Sequence, residues 1–316
     1  MRPEKSVRML SIFAAGAIVA FSFGACSVAE EASGAASLVA KGARIKADKD
    51  GTVVDISIPQ TVEMTLEDFQ AFGKLVTLKT VSFGAKGLPL NDQTAAEFTH
   101  FDKLEKFFAN GAEMTDDGFK AFAGWKSLKT FGLDHWGWKV AGKGTLGPGM
   151  AHLASCSNLE SLRLGGCKVD NRVTEALAQI KSLQSVDLQH TYAVTDEGIA
   201  ALKALPKLRI VKLSPQFSPR ITDATLVALG GIKTLEEIEL NETWLTYDKG
   251  FSHLKDLASL KKMVLTKVVA SEDDIAKLKA DHPGAVVQWT QPDEATIAKT
   301  KEQFQKFWDK QAKAAR

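Results

Sequence analysis

Two aspartates and two histidines are the residues best suited to chemistry. Asp134 adjoins His135, and Asp187 precedes His190 by three positions. A carboxylate with an imidazole is what general acid–base catalysis uses, and with further donors such a group can hold a metal ion. No nucleophile with a matched base accompanies them, so the acid–base reading lacks its central atom.

Two glycine patterns invite a nucleotide. Gly137 to Gly144 reads G-x-x-x-x-G-K-G, but the hydroxyl that should hold magnesium is replaced by Gly144, with Thr145 one place late. Gly142, Gly144 and Gly147 fit G-x-G-x-x-G without the strand, helix and ribose-binding acid of a dinucleotide unit. No cofactor and no metal are expected. Asn241-Glu242-Thr243 is a glycosylation sequon, idle in a bacterial setting.

The 316 residues are 45% hydrophobic and 25% charged, enough to bury a large core. Forty basic and 38 acidic side chains leave a net charge of +2, which argues against nucleic acid and against an anionic membrane surface as partners.

Arg2, Lys5 and Arg8 precede an apolar run from Met9 to Phe23 and then small residues, the pattern of a signal peptide over residues 1–29. The run is about 15 residues, short of the roughly 20 that span a bilayer. Phe23-Gly24-Ala25-Cys26 resembles the lipobox of bacterial lipoproteins, in which the cysteine is lipidated. Leu is preferred where Phe23 stands, so two readings stay open: lipidation at Cys26, or ordinary cleavage near Ala29. Either way the chain is exported, to the periplasm or outer membrane as a lipoprotein, or secreted, with the membrane met only through a lipid at Cys26.

The elements that would position any site come from a repeat. Leu78, Leu104, Leu128, Leu159, Leu183, Leu208, Leu235 and Leu260 follow one another at 24 to 31 residues, and apolar residues recur three and five positions after each of most of them. Thr115-Asp116-Asp117-Gly118, Thr195-Asp196-Glu197-Gly198 and Thr222-Asp223-Ala224-Thr225 read as helix starts, the threonine capping free N–H groups and the acid favouring the positive end of the dipole. The L-x-x-L-x-L pattern, fullest at Leu159, Leu162, Leu164, Cys167 and Val169, resembles the leucine-rich repeat family. The T-D-x-G starts resemble the subtype found in exported bacterial members. The resemblance implies an α/β fold, a leucine-rich repeat solenoid with a parallel sheet on its concave face and short helices on its convex face.

The organisation that follows is signal peptide (1–29), linker or short helix (30–42), repeat domain opening on a capping hairpin (43–290) and C-terminal capping helix (291–316). That helix would show Ile297, Phe304, Phe307 and Trp308 on its apolar face, and a partner-binding helix would look the same. Cys156 and Cys167 fall in buried frames a strand-length apart, about 20 Å at 3.3 Å per residue, so two free thiols are expected rather than a disulfide.

Function then falls to the concave face. Arg163, Asp187, Lys212 and Glu239 occupy one outward row on consecutive strands with alternating signs, a salt-bridge ladder. The longest repeat adds Asp134 to Gly149, with two tryptophans and five glycines. Around it the face would gather Phe108, Asp134, His135, Trp138, Gln189, His190 and Tyr192, aromatic rings beside polar groups that suit a protein, peptide or glycan ligand. Trp136 and Trp138 share the frames of Cys167 and Val169, so a core role stands beside the ligand role. The chain reads as a non-enzymatic, monomeric binding module at the cell envelope; a structural scaffold lipoprotein is the alternative, and a hydrolase built on the Asp134, His135, Asp187 and His190 group is the third reading.

Overall fold

Each L-x-x-L-x-L segment is too short to bury its apolar face alone, so its neighbours must do so. In the computed structural model, which describes residues 10–14, 17–21, 26–84, 86–140, 142, 144–215 and 220–314, with side chains from residue 33 on except at 86, 310–312 and 314, they do. Leu10–Ala14 (β1) and Ala17–Phe21 (β2) pair only with each other. Most of the remaining signal-peptide and lipobox stretch, residues 1–9, 15, 16 and 22–25, lies outside the described residues.

Arg44–Ala47 (β3) and Val53–Ile58 (β4) form an antiparallel hairpin over Asp48 to Gly51. The two-residue pair Glu63–Met64 (β5) and Lys86–Gly87 (β7) flanks Thr80–Phe83 (β6). Then come Lys106–Asn110 (β8), Thr130–Asp134 (β9), Ser161–Gly165 (β10), Ser185–Thr191 (β11), Ile210–Pro215 (β12), Glu237–Asn241 (β13), Lys262–Thr266 (β14) and Val286–Trp289 (β15). From β3 to β15, leaving out β5 and β7, these strands make one eleven-stranded sheet in chain order, parallel after the hairpin. This is a leucine-rich repeat solenoid.

The register puts Ile56, Val81, Phe107, Phe131, Leu162, Val186, Val211, Ile238 and Met263 in one inward row, all buried. At the start of the strands a single carbonyl serves two donors. Glu105 O accepts from Lys129 and Thr130 at 2.8 and 3.0 Å, and Arg209 O accepts from Glu236 and Glu237 at 2.8 and 3.0 Å. The first half of the core is aromatic: Phe107 and Phe131 stack at 5.5 Å, and Phe122 lies 4.4 Å from Trp125, whose indole N–H reaches Phe98 O at 2.8 Å.

The convex segments are short turns of α- or 3-10 helix such as Asp116–Phe122, Asp196–Ala200 and Asp223–Gly230. Thr115 and Thr222 cap theirs, each hydroxyl accepting a backbone N–H two residues on at 3.2 Å; the Thr195 hydroxyl makes no such bond and donates to Glu197 instead. The acid of each T-D pair does more than favour the dipole. It reaches into the following repeat: Asp196 accepts the Thr222 N–H at 2.9 Å and its hydroxyl at 2.8 Å, and Asp223 does the same for Thr246 at 2.9 Å each. Asp92 clamps Thr115 likewise at 2.8 and 2.6 Å, and Asn171 fills the role beneath Thr195.

That clamp explains the glycine of T-D-x-G. A Cβ on Gly118 would lie 2.4 Å from Asp92 Oδ1, and one on Gly198 would lie 2.2 Å from Asn171 Oδ1. Where the glycine is absent, Thr225 turns the contact into a hydrogen bond from its hydroxyl to Asp196.

One helix precedes the hairpin and another follows β15. Cys26–Ala40 buries Ala35 and Leu38, sets Gly34 against the Ala71 carbonyl, and leads to Lys41, whose ammonium pairs with buried Asp68 at 2.5 Å. Glu294–Ala314 starts where Asp293 accepts the Thr296 N–H at 2.7 Å, and it buries Phe304 and lays Trp308 on Trp244. No helix among the described residues is long and apolar enough to cross a membrane. Cys156 and Cys167 are buried thiols, with Cys167 Sγ 3.4 Å from Leu133 O; burial pushes both thiols up, Cys156 to about 11.

Replacing Asp196 by alanine strands the Thr222 N–H and two hydroxyls at a repeat junction. The expected loss is about 1–3 kcal/mol of unfolding free energy. An unchanged midpoint in urea denaturation would show that the clamp contributes nothing.

Candidate binding face

After most of the long parallel strands the chain turns through a left-handed residue. Gly111, His135, Gly166, Glu242 and Lys267 each follow the last residue of a strand, and His190 sits at the register shift just before the last residue of β11, all with φ between 52° and 74°. Glycine adopts this conformation freely; a residue with a Cβ is opposed by its own carbonyl, at about 1–2 kcal/mol. Four of the six positions carry that strain, and the turn lines their side chains along one lip of the concave face. His135 Nδ1 lies 2.9 Å from Asn110 Oδ1. His190 Nδ1 lies 3.3 Å from Ser214 Oγ and 3.9 Å from Glu242, whose carboxylate also takes Lys267 at 3.0 Å.

Below the lip runs the central outward row. Phe108, half-buried, lies beside Gly132, where a Cβ would meet its ring at 2.9 Å, and Arg163 stands on the strand beyond. Arg163 is held between Asp134 (Nε to Oδ1, 3.0 Å) and Asp187 (Nη1 to Oδ2, 2.5 Å). Burial works against the guanidinium charge, but these two carboxylates outweigh it and hold its pKa above the ordinary value. Lys212 pairs with Glu239 at 2.9 Å, and Gln189 Nε2 donates to Glu239 at 2.9 Å. Burial disfavours the Glu239 charge, yet the Lys212 and Gln189 contacts keep its pKa low. The alternating row is therefore two clusters rather than a continuous ladder: Asp187 turns to Arg163 and Lys212 to Glu239.

The seven residues singled out in the sequence fall into three neighbouring groups: Phe108 on β8 with Asp134 at the end of β9 and His135 just after it, Gln189 and His190 on β11, and Trp138 with Tyr192 on the flank. Gly165 and Gly166 join them. A Cβ on Gly165 would lie 2.2 Å from the Asp134 carboxylate, and one on Gly166 would lie 3.1 Å from the His135 ring. The Gly166 N–H donates to Gln189 O at 2.9 Å, and its carbonyl accepts the Trp138 indole N–H at 2.6 Å. Trp138 meets Tyr192 edge to face at 5.4 Å, with Lys168 Nζ 5.8 Å above the indole.

Along its described part the long insertion is built into the wall. Trp136 is fully buried and donates to Met114 O at 2.8 Å, Leu146 bridges to Val169, and Lys168 Nζ donates to Gly142 O. The acid–base group does not assemble. Asp134 and Asp187 both face Arg163, while His135 and His190 turn to Asn110 and Ser214. Among the described residues no group of three or more His, Cys, Asp or Glu is placed to hold a metal ion.

Sequence reasoning missed Asn110, Ser214, Glu242 and Lys267. Their signal is positional: glycine recurs at the residue after the strand, which marks a left-handed turn and hence the outward lip.

No protein-family model matches the chain, and no curated protein matches it. Solved structures do. Internalin C2 of Listeria monocytogenes is 23% identical, with 69% of this chain and 82% of that one covered at a TM-score of 0.48. An internalin (inlF) of the same organism is 16% identical over 73% of each chain, at 0.45. TLR13, solved as a complex with ssRNA13, is 14% identical over 80% of this chain and 38% of its own length, at 0.49.

Replacing His190 separates backbone strain from side-chain contacts. His190→Gly should be more stable than His190→Ala by about 1 kcal/mol, because only the alanine keeps a Cβ in the left-handed turn. An alanine variant as stable as the glycine variant, by urea denaturation, would show that the turn is not held in solution.

Proposed function

We propose that the chain is a non-enzymatic binding module that recognises a protein or peptide on its concave face, between β8 and β14. One observation carries this: His135, His190, Glu242 and Lys267 hold strained left-handed conformations at positions where Gly111 and Gly166 show that glycine fits. Strain kept where a relaxed alternative exists points to use of the side chains it presents. The half-buried Phe108 ring supplies apolar contact beside them, and the paired charges of Arg163 and Lys212 set the polar pattern that a partner must match. The complete pairing of Asp134, Arg163 and Asp187 suits a second reading, a scaffold whose concave face only needs to stay soluble.

The signal-peptide pattern and the cysteine that ends the lipobox-like segment support a place at the bacterial envelope, anchored through a lipid on Cys26. Metabolic labelling with palmitate is expected to mark the parent chain and not Cys26→Ala; equal labelling of both removes the anchor from the proposal.

Capture of partners from envelope extract by the mature chain tests the face itself. Phe108→Ala, His135→Ala and His190→Ala together should abolish capture of a specific polypeptide while leaving the melting temperature close to that of the parent. Capture indifferent to the triple change supports the scaffold reading instead, and capture only of a glycan shifts the partner class.

A further inference from the structure

The eleven-stranded sheet ends at β15, and among the described residues no strand pairs with its outer edge. The C-terminal helix does not close that edge; its Phe304 and Trp308 lie against Trp244 instead, in the loop after β13. The Val286 N–H donates to Lys261 O at 2.8 Å, and the parallel register continues to Trp289, so the backbone groups of Val286 and Gln288 face β14. Those of Val287 and Trp289 therefore point outward, ready to pair.

The two ends of the sheet differ. The edge at β3 carries exposed Arg44 and Lys46, charges of the kind that keep sheet edges apart. β15 reads Val-Val-Gln-Trp, without a charge, and Val286 is 57% exposed. On the core side Val287 and Trp289 are only partly buried against the last repeat.

We propose that β15 pairs with β15 of a second copy, antiparallel about a two-fold axis, to join two solenoids end to end. Opposed residues in an antiparallel pair must share a face of the sheet, and a register centred on Gln288 meets that condition. It sets Val287 opposite the partner's Trp289, and the reverse, so that the outward N–H and C=O groups of both are satisfied. The same pairs bring the half-covered apolar side chains of each end against the other. On the concave face Gln288 meets its own copy, and an amide, being both donor and acceptor, can hydrogen-bond to itself.

This self-match, rather than the open edge alone, selects a second copy over an unrelated extended peptide. A joint of four residues buries well under the roughly 800 Å² per partner of a standard stable interface, so the dimer is weak, with a dissociation constant in the micromolar range or above. It departs from the monomer that the sequence suggests.

Sedimentation equilibrium of the full mature chain, from low micromolar to submillimolar concentration, is expected to show a monomer–dimer equilibrium. Gln288→Lys and Gln288→Glu each oppose like charges across the joint on a solvent-exposed side chain. Each variant should melt like the parent and stay monomeric, and an equimolar mixture of the two should dimerise again. A parent chain that stays monomeric throughout, or a dimer that Gln288→Lys leaves unchanged, overturns the proposal.

Discussion

The carboxylate that crosses from one repeat to the next sets the terms for the rest of the molecule. Asp92, Asp196 and Asp223 each satisfy backbone and hydroxyl groups at the start of the next convex turn, and Asn171 does so as an amide. A repeat of two dozen residues must satisfy the free groups at its helix start, and the clamp does so from the neighbouring repeat. Once the clamp is present, spacing along the stack is set, the strands meet in register, and the last residue of T-D-x-G must either be glycine, as at Gly118 and Gly198, or bond to the neighbouring group, as Thr225 does to Asp196.

Much of this was legible in the residues. The lead leucines fixed the period, and the positions three and five beyond them became the inward rows of the sheet. Cys156 and Cys167 lie buried where their frames placed them, and Trp136 took the core role that its alignment with Cys167 allowed. The clamp itself was not legible. A T-D pair looks like a capping signal within one turn, and only the superposition of successive turns in space shows that the acid works across the junction. For the same reason the charged row broke into two clusters, because alternation in sequence does not say which neighbour a guanidinium or ammonium will choose.

The candidate face was legible in its members and not in its organisation. Aromatic and polar residues near the long repeat were visible, but the left-handed turn that aligns His135 with His190 is a property of backbone angle. Gly165 and Gly166, silent as side chains, are what let Asp134, His135, Trp138 and Gln189 converge. A search for reactive groups passes over both glycines because they contribute absence rather than chemistry.

The sequestered thiols of Cys156 and Cys167 have a consequence for how such a stack comes apart. Both sit in the middle of the chain, away from either end, and thiolate formation is suppressed while the interior stays dry. Alkylating reagents reach them only when the central coils separate, so the protein carries an internal clock for unzipping from the middle, distinct from fraying at its termini.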